Sequence, residues 1–296
     1  MYEAYYQLNS DPFTLSPSGK DAYEHGSYKK TKAHLEYALY RGEGVVLITG
    51  QPGTGKTTLI KEVIRSLHGS KTVVLAFTCQ MFTAKELVGQ FAHALDVDIA
   101  KGELSNTLTN IQEALHQHRN EGHRALLILD EAQSLNDGAL EQARLLSNFQ
   151  AGDQPLIQIV LVGQPELRHK VLSPTLQQLH QRIVTSSDLQ PLDAEQCRGY
   201  FLHRLTVAGW TGIPKVSDDI FALLHVASNG VPRWINQIGS RLLLHGMLEE
   251  KAELGSYDMR KIVDDLISES LLPQSVRAAR LHAIAPGTAQ KSDSEY

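Results

Sequence analysis

The chain has 296 residues, 42% hydrophobic and 21% charged, with a formal charge of −5 and a pI near 6.2. These are ordinary values for a soluble globular protein, with material for one large domain or two modest ones. The acidic balance argues against a surface coated with nucleic-acid contacts, and no apolar run reaches membrane-spanning length.

Residues 1–44 precede the first core strand. Asn9-Ser10-Asp11-Pro12-Phe13 and Ser16-Pro17-Ser18-Gly19 are turn chemistry, so an extended arm with aromatic anchors is expected there. A helix follows from Ser27, with Ala33, Leu35, Ala38 and Leu39 inward and Lys29, Lys30 and Lys32 outward, closed by Arg41-Gly42-Glu43-Gly44. Arm and helix are expected to pack on the core. The start, Met1-Tyr2-Glu3-Ala4-Tyr5-Tyr6, lacks a basic n-region and an apolar h-region. A cytoplasmic location is therefore expected, with membrane contact made only through partners.

Val45-Val46-Leu47-Ile48-Thr49 has the form of a buried strand and runs into Gly50-Gln51-Pro52-Gly53-Thr54-Gly55-Lys56-Thr57. The second stretch fits G-x-x-x-x-G-K-[ST] without a mismatch. From Thr58, residues Leu59, Val63, Ile64 and Leu67 fall on one helical face. Strand, glycine loop and helix make a phosphate site. Glycines let backbone N–H groups surround an anion, and the helix N-terminus adds positive potential. Lys56 is expected to reach the β- and γ-phosphates and Thr57 to hold Mg²⁺ through its hydroxyl.

Further strands are expected at Val73–Thr78, Ala125–Asp130, Ile157–Gly163 and, more weakly, Val184–Leu189. Helices are expected from a capping box at Thr83-Ala84-Lys85-Glu86 through Leu95, over Leu104–Arg119, from about Gly138 to Phe149, and over Leu176–Arg182. Alternation of this kind predicts an α/β layer with a parallel sheet over residues 45–190, with its ligand at the carboxyl ends of the strands. After Gln190-Pro191-Leu192 the pattern becomes helical. A capping box at Asp193-Ala194-Glu195-Gln196 opens helices near 194–208, 217–228, 232–248 and 257–270, without a strand signal. This predicts a small helical lid over 191–270. The polar tail from 271 to 296 is expected to be disordered.

Leu126-Leu127-Ile128-Leu129-Asp130-Glu131 complements the loop: a buried strand ending on two carboxylates. Asp130 is expected to support Mg²⁺ directly or through water, and Glu131 to orient or deprotonate an attacking water. Gln164, at the tip of the fourth strand, is a candidate to meet a γ-phosphate or align that water. Arg182, just before the fifth strand, is a candidate arginine finger acting on a neighbouring subunit's nucleotide, with Arg168 as its competitor. Arg233, in the first turn of a lid helix, is a candidate bridge to the γ-phosphate. Tyr23 and Tyr28 are open between flanking a base and anchoring the arm. Among the 13 histidines, His116 and His118 face different sides of a helix, and neither H-E-x-x-H nor H-x₃₋₅-H with partner cysteines occurs. Mg²⁺ with nucleotide is the metal expected. Cys79 and Cys197 form no C-x-x-C and are expected as buried thiols.

The whole pattern resembles the AAA+ class of ATPases and, more narrowly, the family of general secretion pathway protein A. The resemblance rests on the arm with Asp11-Pro12-Phe13, the loop, Leu129-Asp130-Glu131-Ala132-Gln133, Leu146-Ser147-Asn148-Phe149-Gln150, Leu161-Val162-Gly163-Gln164-Pro165-Glu166-Leu167 and Gln181-Arg182. Leu192-Asp193-Ala194-Glu195, Ala208-Gly209-Trp210 and Gly230-Val231-Pro232-Arg233-Trp234-Ile235-Asn236 look most like the secretion ATPases of exosortase (PEP-CTERM) and exopolysaccharide loci. The resemblance implies ATP and Mg²⁺, a sheet of order 5-1-4-3-2, a helical lid, ATP-dependent homo-oligomers, and partners among inner-membrane secretion or polysaccharide-export components. Two rival readings are a DNA-binding ATPase like transposition regulators of the TniB type, and a nucleotide-binding scaffold that scarcely hydrolyses. The acidic pI weighs against the first and Glu131 against the second.

Overall fold

The computed structural model describes residues 1–15, 22–99 and 104–272. The expected tail lies almost wholly outside these. The chain forms two compact units, Ser16–Gln190 and Met1–Leu15 with Pro191–Tyr296.

The first unit is built on five parallel strands: β1 (Val45–Gly50), β2 (Thr72–Thr78), β3 (Arg124–Asp130), β4 (Ile157–Gly163) and β5 (Ile183–Leu189). Their spatial order is β2-β3-β4-β1-β5, which is the 5-1-4-3-2 order read from the opposite edge. Val45 pairs with Ile159, Leu47 with Leu161, and Leu127 with Ile159. The central strands β1 and β4 are buried along their whole length, as expected where helices cover both faces of a parallel sheet.

Alternation of side chains along each strand sorts the core into two layers. Val45, Leu47, Leu127, Leu129, Ile159 and Leu161 pack with Leu87, Phe91, Leu115 and Leu140. The residues between them, Val46, Ile48, Leu126, Ile128, Val160 and Val162, pack on the other face with Leu35, Leu59 and Val63. The first layer is covered by α3 (Ala84–Ala94), α4 (Leu104–Asn120) and α5 (Asp137–Leu146), the second by α1 (Gly26–Arg41) and α2 (Lys56–Ser66).

The stripe on α1 differs from expectation. Tyr28, Thr31, Leu35 and Ala38 are buried, whereas Ala33 is exposed. The Tyr28 hydroxyl donates to Glu62 Oε2 at 2.6 Å, and Lys32 pairs with Glu24 and Glu62. Tyr28 therefore anchors α1 to α2. Two expected features are present in atomic detail: Gly42 at φ +70 caps α1, and Thr83 with Glu86 completes a capping box. The sequence reading missed a tight ladder joining Gln150–Ala151 to Gln154–Pro155, and α6 (Pro165–Val171). Both are shorter than the windows over which periodicity is visible.

The second unit corrects the expected placement of the arm. Residues 1–15 belong with 191 onward, and only the segment from 22 packs with the sheet. The physical reason is Phe13, 1% exposed, with its ring 4.7 Å from that of Phe201. A Cβ on Gly239 would stand 2.7 Å from the Phe13 ring, so glycine there makes the slot. Asp11 folds the arm by accepting from the Tyr2 hydroxyl at 2.6 Å and from the Phe13 N–H at 2.8 Å. The unit's helices are α7 (Ala194–Val207), α8 (Ile220–Ser228), α9 (Pro232–Leu248) and α10 (Ser256–Ser268). A two-residue parallel ladder, Lys215–Val216 with Glu253–Leu254, was not expected in a helical domain.

Candidate active site at the carboxyl ends of the strands

The loop after β1 turns tightly over the end of the sheet. A Cβ on Gly50 would stand 2.7 Å from the Leu189 carbonyl oxygen, and Gly55 holds φ +103 as α2 begins. Both conditions favour glycine strongly. The Thr54 hydroxyl donates to the Gln51 carbonyl at 2.9 Å and stiffens the loop. Thr58 continues α2 one residue beyond Thr57. Lys56, the first residue of α2, is 5% exposed. Its ammonium donates to the carbonyls of Gly50 at 2.8 Å and Gln51 at 3.0 Å. Burial pushes its pKa down, while the carboxylates of Glu131, Asp130, Asp188 and Glu166 pull the other way.

β3 runs beside β4 and carries Asp130 to the same end. The Thr57 hydroxyl donates to Asp130 Oδ2 at 2.9 Å, and the Glu131 N–H donates to Asp130 Oδ1 at 2.9 Å. Glu131 stands at φ +56, a left-handed conformation that a non-glycine residue adopts at a cost of about 1–3 kcal/mol. Its carboxylate is gripped by two amides. Gln133 Nε2 donates to Glu131 Oε2 at 2.6 Å and Gln164 Nε2 donates to the same oxygen at 3.2 Å. The Gln164 N–H donates in turn to Gln133 Oε1 at 3.1 Å. A Cβ on Gly163 would lie 2.6 Å from that oxygen, so glycine at the end of β4 admits the Gln133 side chain.

Gly50 to Thr58, Asp130, Glu131 and Gln164 thus sit together at the carboxyl ends of the strands. Gln133 was not singled out as a site residue. Its signal was its place two residues past Glu131, one turn of 3-10 helix away. Asp188 was also missed: it accepts from the Thr49 hydroxyl at 2.8 Å, beneath the loop. The Cys79 N–H donates to the Asp130 carbonyl at 2.7 Å. Burial, with Asp130 and Glu131 nearby, pushes the Cys79 thiol up to about 12. A neutral thiol is a poor ligand and a poor nucleophile.

The arginines lie elsewhere. Arg182 is exposed at the amino end of β5, where its carbonyl accepts from the Val45 N–H at 2.9 Å. The length of β1 puts that point about 16 Å from Gly50. Its side chain has no hydrogen-bond or ion-pair partner among the described residues. Arg168 is exposed on α6, which starts next to Gln164. Arg233 is exposed in the first turn of α9, in the other unit. Among the described residues no helix is long and apolar enough to cross a membrane.

Known proteins share this architecture. An AAA domain family matches residues 39–171. Among solved structures, the Aeropyrum pernix ORC1 protein in complex with DNA aligns with a TM-score of 0.64 at 17% identity, covering 88% of this chain and 70% of that one. Residues 39–171 thus match the AAA domain class of P-loop ATPases. Within that class the chain is similar to general secretion pathway protein A of Aeromonas hydrophila, 33% identical over 291 residues, covering 96% of this chain and 53% of that protein. The chain spans about half the length of this relative. Residues also match the ATP-dependent target DNA activator B of Escherichia phage Mu, 30% identical over 134 residues, or 44% of this chain and 37% of that protein.

Proposed function

We propose that the chain binds ATP with Mg²⁺ at this site and hydrolyses it, switching the assembly of a secretion or exopolysaccharide-export system of the exosortase-associated kind. One observation carries the enzymatic part: the Thr57 hydroxyl and an Asp130 oxygen lie 2.9 Å apart beside Glu131, which has a strained backbone and is held by two glutamines. Two oxygens at that spacing match an edge of the octahedron that Mg²⁺ demands, about 2.9 Å for bonds near 2.1 Å. When bound, the ion neutralises charge on the β- and γ-phosphates.

The chain's own groups have distinct roles. Loop N–H groups cradle the phosphates, and Lys56 exchanges the carbonyls of Gly50 and Gln51 for phosphate oxygens. Glu131 would orient a water and take its proton, while Gln164, bonded to Glu131, would meet the γ-phosphate or align that water. Arg182, exposed and without a side-chain partner among the described residues, is offered to the nucleotide of a second copy in an ATP-dependent homo-oligomer, with Arg168 as the alternative. Arg233 is the lid's candidate contact. The likeness to general secretion pathway protein A supports the secretion role, with inner-membrane components as partners.

The deciding experiment is Glu131→Gln. ATP binding should persist while turnover falls by about 10²–10⁴; near wild-type hydrolysis would remove Glu131 from catalysis. Mixing that variant with Arg182→Ala tests the finger, because the first donates an intact arginine to the second's intact site. Activity should return on mixing. A monomer at saturating ATP with no recovery would reject both finger and oligomer, and recovery with Arg168→Ala but not Arg182→Ala would move the finger to Arg168. The match to the phage DNA activator favours a second reading, an ATPase that acts on DNA. Retention of duplex DNA at low salt only with ATP would establish it over the first.

A further inference from the structure

At the opposite end of β3 from Asp130, two histidines and a glutamate meet in the turn that follows α4. His118 is in the last turn of that helix, Gly122 at φ +81 reverses the chain, and the His123 N–H donates to the His118 carbonyl at 2.9 Å. This closure sets the two imidazoles side by side, centroids 6.4 Å apart. One ligand atom each from His118, Glu121 and His123 lies within 4.8 Å of the other two. His123 Nδ1 is buried and has no hydrogen-bond partner, and Glu121 Oε2 faces it at 3.7 Å. An orphaned ring nitrogen opposite a carboxylate is a place that a cation completes.

We propose that His118, Glu121 and His123 form a Zn²⁺ site with three protein ligands and a fourth position for water. The donors select the metal. Mg²⁺ and Ca²⁺ take oxygen ligands, whereas two imidazoles and one carboxylate suit zinc. The carbonyl end of α4 adds negative potential. At Zn–N bonds of about 2.0–2.1 Å the tetrahedral edge is about 3.4 Å. The three ligand atoms therefore close on the ion by side-chain rotation, on a backbone turn already folded. Glu121 is exposed, so the ion has a way in. The H-x-H pair in the sequence misleads here. His116 and His118 do diverge around the helix, and the second imidazole comes from beyond the turn.

The site lies seven strand residues from Asp130, about 20 Å, so it can be tested without reference to ATP. The untagged full chain, stripped with chelator, is titrated with Zn²⁺ by calorimetry and with Co²⁺ by visible absorption. One Zn²⁺ should bind at this site, and Co²⁺ should give the intense bands of four-coordinate geometry that Zn²⁺ then bleaches. His118→Ala and His123→Ala should each weaken Zn²⁺ by about tenfold or more, whereas His116→Ala should leave it unchanged. Glu121→Gln, at an exposed position, repeats the test should a histidine variant lose its circular dichroism. Wild-type affinity in Glu121→Gln and in both histidine variants, loss of binding in His116→Ala, or retention of Fe²⁺ against Zn²⁺ would each overturn the assignment.

Discussion

Asp258 and Asp130 are carboxylates set into packed protein, one in each unit, and their surroundings differ in kind. Asp258, 5% exposed, accepts from the Lys251 ammonium, from His245 Nε2 at 3.2 Å and from the Gly255 N–H at 3.1 Å. Burial pushes its pKa up, but the hydrogen bond from Lys251, followed by those from Gly255 and His245, holds it below the ordinary aspartate range. Among the described residues the Asp130 carboxylate accepts only from neutral donors, the Thr57 hydroxyl and the Glu131 N–H. The Glu131 carboxylate beside it accepts from the amides of Gln133 and Gln164. Among the described residues no cationic side chain forms an ion pair with either. The carboxylate of the helical unit is committed to its own fold. Those at the carboxyl ends of the strands are bonded to neutral groups of the fold, which leaves them open to a cation from outside.

The largest test of that contrast is Lys56→Ala. The substitution removes a buried ammonium aimed at the loop, so turnover should fall by about 10²–10³ and nucleotide affinity should fall with it. Nucleotide titration and a phosphate-release assay read both. Unchanged binding would mean the phosphates sit elsewhere.

Gln133→Ala should do less. It leaves Glu131 with one amide instead of two and frees its side chain, so turnover should drop by about tenfold while ATP affinity holds. The pH dependence of kcat is the readout that separates positioning from folding. Gln133→Glu should be worse than Gln133→Ala, because it sets a second carboxylate against Glu131.

The smallest effect is in the helical unit and concerns stability alone. Asp258 has a lowered folded pKa, so its contribution is present above the unfolded value, near 3.9, and is lost as pH falls through the folded one. Melting followed between pH 6 and 3 should show wild type losing its advantage over Asp258→Asn as the pH drops. ATP turnover near neutral pH should differ little between them. Parallel melting curves across that range would contradict the ion pair.

The chain's order alone determined a good deal. Short apolar runs bounded by turn signals read as strands covered on both faces, and the order of strand, glycine loop and helix put Gly50 to Thr57 at the carboxyl end of β1. Because parallel strands all end on one side, Asp130 and Gln164 were also legible as companions of Gly50. Tertiary structure decided what depends on contacts between segments remote in sequence. Phe13 was legible as an anchor, but the Gly239 slot that draws the arm to the helical unit lies more than two hundred residues away. Gln133 became a partner of Glu131 because Gly163, on a different strand, leaves room for its amide. His118 and His123 met because a glycine reversed the chain after α4, where helical periodicity, the signal used to place His116 and His118, no longer applies.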